Sequence, residues 1–111
     1  MPTVIRLFEE RSVVQILSPI CEMTEDRRLD AALALAAANY GIINGCFDYD
    51  ADNGEIRFRL AQGYMGIEFT KEIAAYMLHV TFKTTARYSD RFIRLSGGTL
   101  SLEEFFRLES E

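Results

Sequence analysis

Two cysteines and one histidine are all that 111 residues offer of the side chains that most often hold metals or act as nucleophiles and bases. Cys21 and Cys46 are too few for a disulfide framework and lack zinc-ligand spacing. Cys46 falls in an apparent strand, where a buried thiol is the plain reading. No G-x-S-x-G elbow is present, and Gly63, Gly66, Gly97 and Gly98 form neither a phosphate loop nor a dinucleotide fingerprint. No metal, cofactor or catalytic residue is therefore assigned. No apolar run is long enough to span a bilayer, and no charged-then-apolar leader opens the chain, so a cytoplasmic location without membrane association is expected. There is no internal repeat or low-complexity linker, and residues 1–111 are read as one domain. Proline is scarce as well: only Pro2 and Pro19 interrupt the chain.

What is present is an ordinary globular balance, 49% hydrophobic and 26% charged, which argues against disorder. A chain of this length removes roughly 65% of its unfolded surface from water and needs no metal or disulfide staple. The net charge of −5 repels phosphate backbones at long range. Arg87, Arg91 and Arg94 lie close together but are interleaved with acids, so no nucleic-acid partner is expected.

Val4 to Leu17 alternates as two strands. With Glu10 and Arg11 as the loop, Leu7 faces Val14 and Ile5 faces Ile16 on one side. Phe8 faces Val13 and Val4 faces Leu17 on the other. Both faces are then largely apolar, and such a ribbon needs cover on both. Ser18 and Pro19 are expected to end it. A first helix follows from about Glu25 to Tyr40, with Thr24 as N-cap and Gly41 as stop. Its Leu29, Leu33, Ala36 and Tyr40 are expected to face the sheet. Ala31, Ala34, Ala37 and Ala38 keep the remaining surface small enough for a close neighbour.

Asn53-Gly54 is a strong hairpin signal that predicts a two-residue type I′ turn. The register it implies sets Phe47 against Leu60, Tyr49 against Phe58 and Ala51 against Ile56. On the other face it sets Asp48 against Arg59 and Asp50 against Arg57. Ile67 to Phe69 is a candidate short further strand. A long helix then begins after Thr70 and is expected to reach about Leu95, with a bend near Ser89 and Asp90. Ile73, Met77, Val80, Tyr88 and Leu95 share one side of it, and Leu78, Phe82 and Ile93 nearly the opposite side. A polar wedge holds Glu72, His79, Lys83 and Asp90. Such a two-sided helix is usually buried on both sides, which implies a subunit interface. Gly97-Gly98 stops it. Ser101 with Glu104 forms a capping box, and Leu100 with Phe105 a hydrophobic staple, for a last helix at Leu102–Leu108. The expected fold is α+β, an antiparallel sheet of two hairpins packed against helices in the order β-β-α-β-β-(β)-α-α.

Asp48, Asp50 and Asp52 invite a calcium-loop reading, but the sixth and twelfth positions counted from Asp48 hold Asn53 and Arg59 where an EF-hand needs Gly and Glu. Arginine partners explain Asp48 and Asp50, and the turn explains Asp52. His79 lies in the polar wedge and reads as solvated rather than as a general base. Glu103 and Glu104 are explained by capping. Phe47, Tyr49 and Phe58 read as core rather than as a base-stacking platform.

The apolar ribbon ending in Ser18-Pro19-Ile20, the helix Leu29 to Tyr40 with Asn39 near its end, the Phe47/Phe58 hairpin and the helix from Thr70 with its Arg87-Tyr88 pair together resemble the bacterial YbjN-type putative sensory-transduction regulators. The fold of that family is similar to the type III secretion chaperones. The resemblance covers Val4 to Leu95. It implies helices layered on an antiparallel sheet, frequent dimerisation, binding of protein clients and no enzymatic activity. The chain departs from the pattern in lacking the helix that usually precedes the first strand, so a shortened variant or another covering element is expected there. The reading is a non-enzymatic protein-binding module, a homodimer that is chaperone-like or regulatory. Its candidate contact residues are Val4, Phe8, Val13 and Leu17 on the ribbon and Leu78, Phe82 and Ile93 on the long helix. The alternative is a structural or adaptor subunit of a larger complex, ahead of a small-ligand-binding protein or an enzyme.

Overall fold

Alternation at Val4–Phe8 and again from Val13 produces the first two strands of a computed structural model that describes residues 2–110, so both ends of the expected 1–111 domain lie outside the described residues. β1 (Val4–Phe8) pairs antiparallel with β2 (Val13–Glu22) in the expected register, Val4 opposite Leu17 and Phe8 opposite Val13. The connection is four residues rather than two. Glu9–Arg11 make a 3₁₀ turn and Ser12 takes a left-handed conformation at φ 53°. Pro19 does not end β2, contrary to expectation. The pairing with β1 stops at Leu17, so Pro19 lies where β2 has lost one neighbour, and a bulge between Pro19 and Cys21 absorbs the irregularity.

Glu25–Arg27 form a 3₁₀ turn before α1 (Arg28–Tyr40), and the Thr24 hydroxyl bonds to the Asp26 carboxylate at 2.6 Å instead of capping the backbone. The inward face of α1 is the reverse of the one expected. Ala31, Ala34, Leu35 and Ala38 are buried, whereas Leu29, Leu33 and Tyr40 are exposed, Tyr40 at 96%. Three alanines let the helix lie close to its neighbours, and that close packing outweighs the larger side chains on the other face.

β3 (Cys46–Tyr49) and β4 (Glu55–Gly63) form the second hairpin, also in a corrected register. Phe47 faces Phe58, Asp48 faces Arg57 and Tyr49 faces Ile56. The turn is a four-residue loop closed by Gly54 N–H to the Asp50 carbonyl at 2.7 Å, with positive φ at Gly54 and not at Asn53, so it is not type I′. Tertiary docking selects this turn. Met23 donates to the Gly54 carbonyl at 2.8 Å, and a Cβ on Gly54 would stand 2.3 Å from the Met23 carbonyl oxygen. Because the register moves by two residues, the same side chains stay on the same face.

Residues 67–69 are irregular, not a strand. α2 (Lys71–Gly97) is continuous through Ser89, capped by the Thr70 hydroxyl at 3.2 Å and ended by Gly98 at φ 81°. α3 (Leu102–Glu109) carries the expected capping box, Ser101 with Glu104. The sheet order is β1-β2-β4-β3, all antiparallel, an α+β fold. One core joins Val14, Ile16, Phe47, Phe58 and Leu60 of the sheet to α1, Met77 and Phe92 of α2, and Phe105 of α3. Leu17 is buried outside that cluster, on the opposite face of the sheet.

The Phe92 ring is wholly buried among Phe47, Tyr88 and Phe105. Phe92→Ala is expected to lower unfolding free energy by about 3–5 kcal/mol, read from the midpoint of a urea titration.

Candidate functional site

Parity along the strands divides the sheet into two unlike faces. Ile5, Leu7, Val14, Ile16, Phe58 and Leu60 point towards the helices, and the core gathers on that side. On the other side stand Val4, Phe8, Val13, Leu17 and Ala61 at the β1 end, and Asp48, Arg57 and Arg59 at the β3 end. No helix contributes to this second face through the core cluster. Its β1 end is apolar apart from the Arg6–Gln15 pair, and its β3 end is ionic.

β1 is the exposed edge of the sheet. All five of its residues are exposed, including Leu7 at 63% and Ile5 at 57%. Edge strands are commonly guarded by proline, charge or a bulge, and Arg6 is the one such device within β1. Beside it, Ile5 and Leu7 form with Leu78, Met77 and Phe69 an apolar groove of about 180 Å³ between β1 and the first half of α2. The edge therefore presents unpaired backbone groups flanked by apolar surface on both faces, which suits the addition of another strand.

The other candidate residues are dispersed. Phe8 and Val4 are partly exposed at 38% and 42%, Val13 is half-buried and Leu17 is buried. On α2, Leu78 is half-buried against the core and lines the groove, while Phe82 and Ile93 are exposed further along the helix. Ribbon and groove residues meet at β1. Phe82 and Ile93 line neither that groove nor a second one on α2.

The polar clusters have local accounts. The Asp48 carboxylate lies 3.4 Å from Arg57 Nε and 3.0 Å from Arg59 Nε. Asp50 has no arginine partner among the described residues, against expectation; its Oδ1 accepts from Asp52 N–H at 2.9 Å within the turn. No group of three metal-ligating side chains forms among the described residues. His79 is exposed in the polar wedge with Glu72, Lys83 and Asp90. Arg91 binds Glu109 at 2.8 Å, and the same carboxylate accepts from the Tyr88 hydroxyl at 2.8 Å, which locks α3 to α2. Burial, then the Glu109 carboxylate, raises the Tyr88 pKa. Arg94 lies 3.9 Å from Asp90, so two of the three clustered arginines are paired within the chain.

Sequence reasoning missed the apolar loop Ile42–Ile43. Ile43 is 96% exposed and faces the second groove, whose other wall is the middle of α2. Two adjacent isoleucines directly after a helix stop were the available signal.

No family model matches the chain, and no curated protein or solved structure matches it. No described helix is long and apolar enough to cross a membrane.

Cys21 is half-buried beside the core, and burial pushes its thiol up to about 11 from 9.0. Burial disfavours the charged form, so the thiolate fraction at neutral pH falls about a hundredfold. In a Cys46→Ser background, iodoacetamide should label folded Cys21 negligibly at pH 8 and at a rate that climbs as pH approaches 11. Rapid labelling at pH 8 would show the thiol to be open to solvent.

Proposed function

We propose that this chain is a non-enzymatic protein-binding module that pairs with a second copy of itself through β1 and acts in a chaperone-like or regulatory role in the cytoplasm. The observation that carries this reading is surface left over after folding. A folded monomer of 12.7 kDa presents about 6,200 Å² to solvent, whereas this chain presents 7032 Å². The excess, about 800 Å², equals one partner's share of a standard-sized interface. Its radius of gyration, 15.0 Å, likewise exceeds the roughly 13 Å expected for this length.

The location of apolar surface points to β1. Ile5 and Leu7 on one face and Val4 and Phe8 on the other flank an edge with little guarding it. Antiparallel addition of a second β1 would extend the sheet, satisfy the edge backbone groups and cover both pairs. The order of elements also agrees with the YbjN-type and secretion-chaperone resemblance, and a protein client is the partner that resemblance supplies. A non-enzymatic role is supported by the exposed His79, which has no hydrogen bond or ion pair among the described residues, and by carboxylates already engaged in turns, caps and arginine pairs.

Sedimentation equilibrium on the full chain at micromolar concentration should return a dimer. The Ile5→Glu/Leu7→Glu variant, altered only at exposed positions, should return a folded monomer with an unchanged circular dichroism spectrum. A monomeric parent chain, or a dimer indifferent to both substitutions, would overturn the reading.

A further inference from the structure

A second surface, on another side of α2 from the β1 groove, has different chemistry. Its walls are the α1–β3 loop at Ile42–Ile43 and the α2 residues Tyr76, Val80, Lys83 and Arg87, enclosing about 620 Å³. We propose that this groove receives an extended segment of a partner protein in which carboxylate side chains stand beside apolar ones.

Three observations carry the assignment. The first is that the groove is built rather than incidental. Asn39 holds the end of α1 to β3 through both atoms of its amide, accepting from Phe47 N–H at 2.7 Å and donating to the Phe47 carbonyl at 3.0 Å. Gly45 packs so tightly that an added Cβ would stand 2.4 Å from the Phe58 ring, and Asn44 donates to the Tyr76 hydroxyl across the groove. The loop that carries Ile42 and Ile43 is thus fixed against the sheet at one end and joined to α2 at the other. A rigid wall spares a ligand the ordering cost of making one.

The second is apolar surface held in water. Ile43 is 96% exposed and Tyr76 51%, while Val80 is half-buried on the same wall. The volume falls within the about 300–1,000 Å³ typical of ligand sites.

The third is charge, which selects the occupant. Among the described residues, Lys83 and Arg87 are the only charged side chains lining the groove, and no acid joins them. Neither has an ion-pair partner among the described residues, as is also true of Arg6, Arg11, Arg28, Lys71 and Arg107, but only these two share a groove with exposed apolar side chains and no acid among the described residues. They stand one helical turn apart, with the Arg87 guanidinium carbon 5.4 Å from the centre of the Tyr88 ring. Two unneutralised cations above apolar surface, on a chain of net charge −5, complement carboxylates next to aliphatic or aromatic groups. A nucleic acid brings one charge per nucleotide, far more than Lys83 and Arg87 can match on a chain of net charge −5, whereas a segment with one or two carboxylates is matched by them. An open groove between a loop and a helix accommodates an extended peptide in which successive side chains reach alternately to the isoleucines and to the cations.

The test uses the full chain and two synthetic peptides that share one spacing of leucine and phenylalanine and carry either glutamate or lysine between them. The glutamate peptide should shift the backbone amide signals of Ile43, Val80 and Thr84 and bind roughly tenfold more tightly than the lysine peptide, with affinity falling as salt is raised. K83E/R87E, at exposed positions, should reverse the preference while leaving the dimer intact, and Ile43→Ser should weaken binding of the glutamate peptide several-fold. Equal binding of the two peptides, no binding of either, shifts centred on β1, or a K83E/R87E variant that keeps the preference for glutamate would overturn the proposal. Because the oligomeric state is measured separately, a failure here is distinguishable from a failure of the β1 pairing.

Discussion

The Phe47 ring stands edge-on to those of Phe58, Tyr88 and Phe92, at centroid separations of 5.4, 5.2 and 5.0 Å, and Phe92 carries the contact on to Phe105 at 5.3 Å. Two of these five side chains belong to the sheet, two to α2 and one to α3, so one aromatic cluster ties strands and helices together. Offset and edge-on geometries add about 0.5–1.5 kcal/mol per pair beyond area burial. The position of α2 on the sheet follows from this cluster, and so do both grooves. The first half of the helix forms one wall beside β1, and its middle forms a wall opposite Ile42 and Ile43.

A core gathered on one side of a four-stranded sheet also accounts for the open surface. With all three helices joined to one face, the other keeps Val4, Phe8 and Val13 without a packed layer, although Leu17 is shielded. β1 suffers most, because it lies at the outer edge and only the first half of α2 approaches it. Four of the exposed large apolar side chains, Val4, Ile5, Leu7 and Phe8, fall together on this one strand, whereas others such as Leu29, Met65, Ile93 and Phe106 are spread over the helices and loops.

Much of this architecture was legible in the sequence, and the failures share a cause. The β1–β2 register matches the one obtained by placing Glu10 and Arg11 in the loop, although two apolar faces left alternation unable to select it. The caps at Thr70, Ser101 and Gly98 are local chemistry and were read correctly. The face of α1 was not, because Leu29, Leu33 and Tyr40 fit the helical period as well as Ala31, Ala34 and Ala38 do. The choice rests on how closely α3 and β3 approach, which no local pattern encodes. Asn53-Gly54 misled for the same reason: a docking contact from Met23 lies far away in sequence and overrides a strong turn preference. Of the proposed binding surfaces, the apolar ribbon was evident from its two greasy faces. The groove at Ile43 was hidden because its walls come together only when α1, β3 and α2 pack.

The charged side chains of the open sheet face constrain how two copies can be arranged. Asp48 serves both Arg57 and Arg59 in a trio, and the acids Asp50 and Glu55 stand at the same end. In the proposed pairing the strand sequence becomes β3-β4-β2-β1 followed by its mirror order. With strands spaced about 4.8 Å apart, the two trios then lie roughly 30 Å from each other. That is several times the screening distance of about 8 Å at physiological salt. A pairing of two β1 strands centred on Arg6 would set the two Arg6 side chains directly opposite, so the twofold axis has to fall beside that residue and not on it.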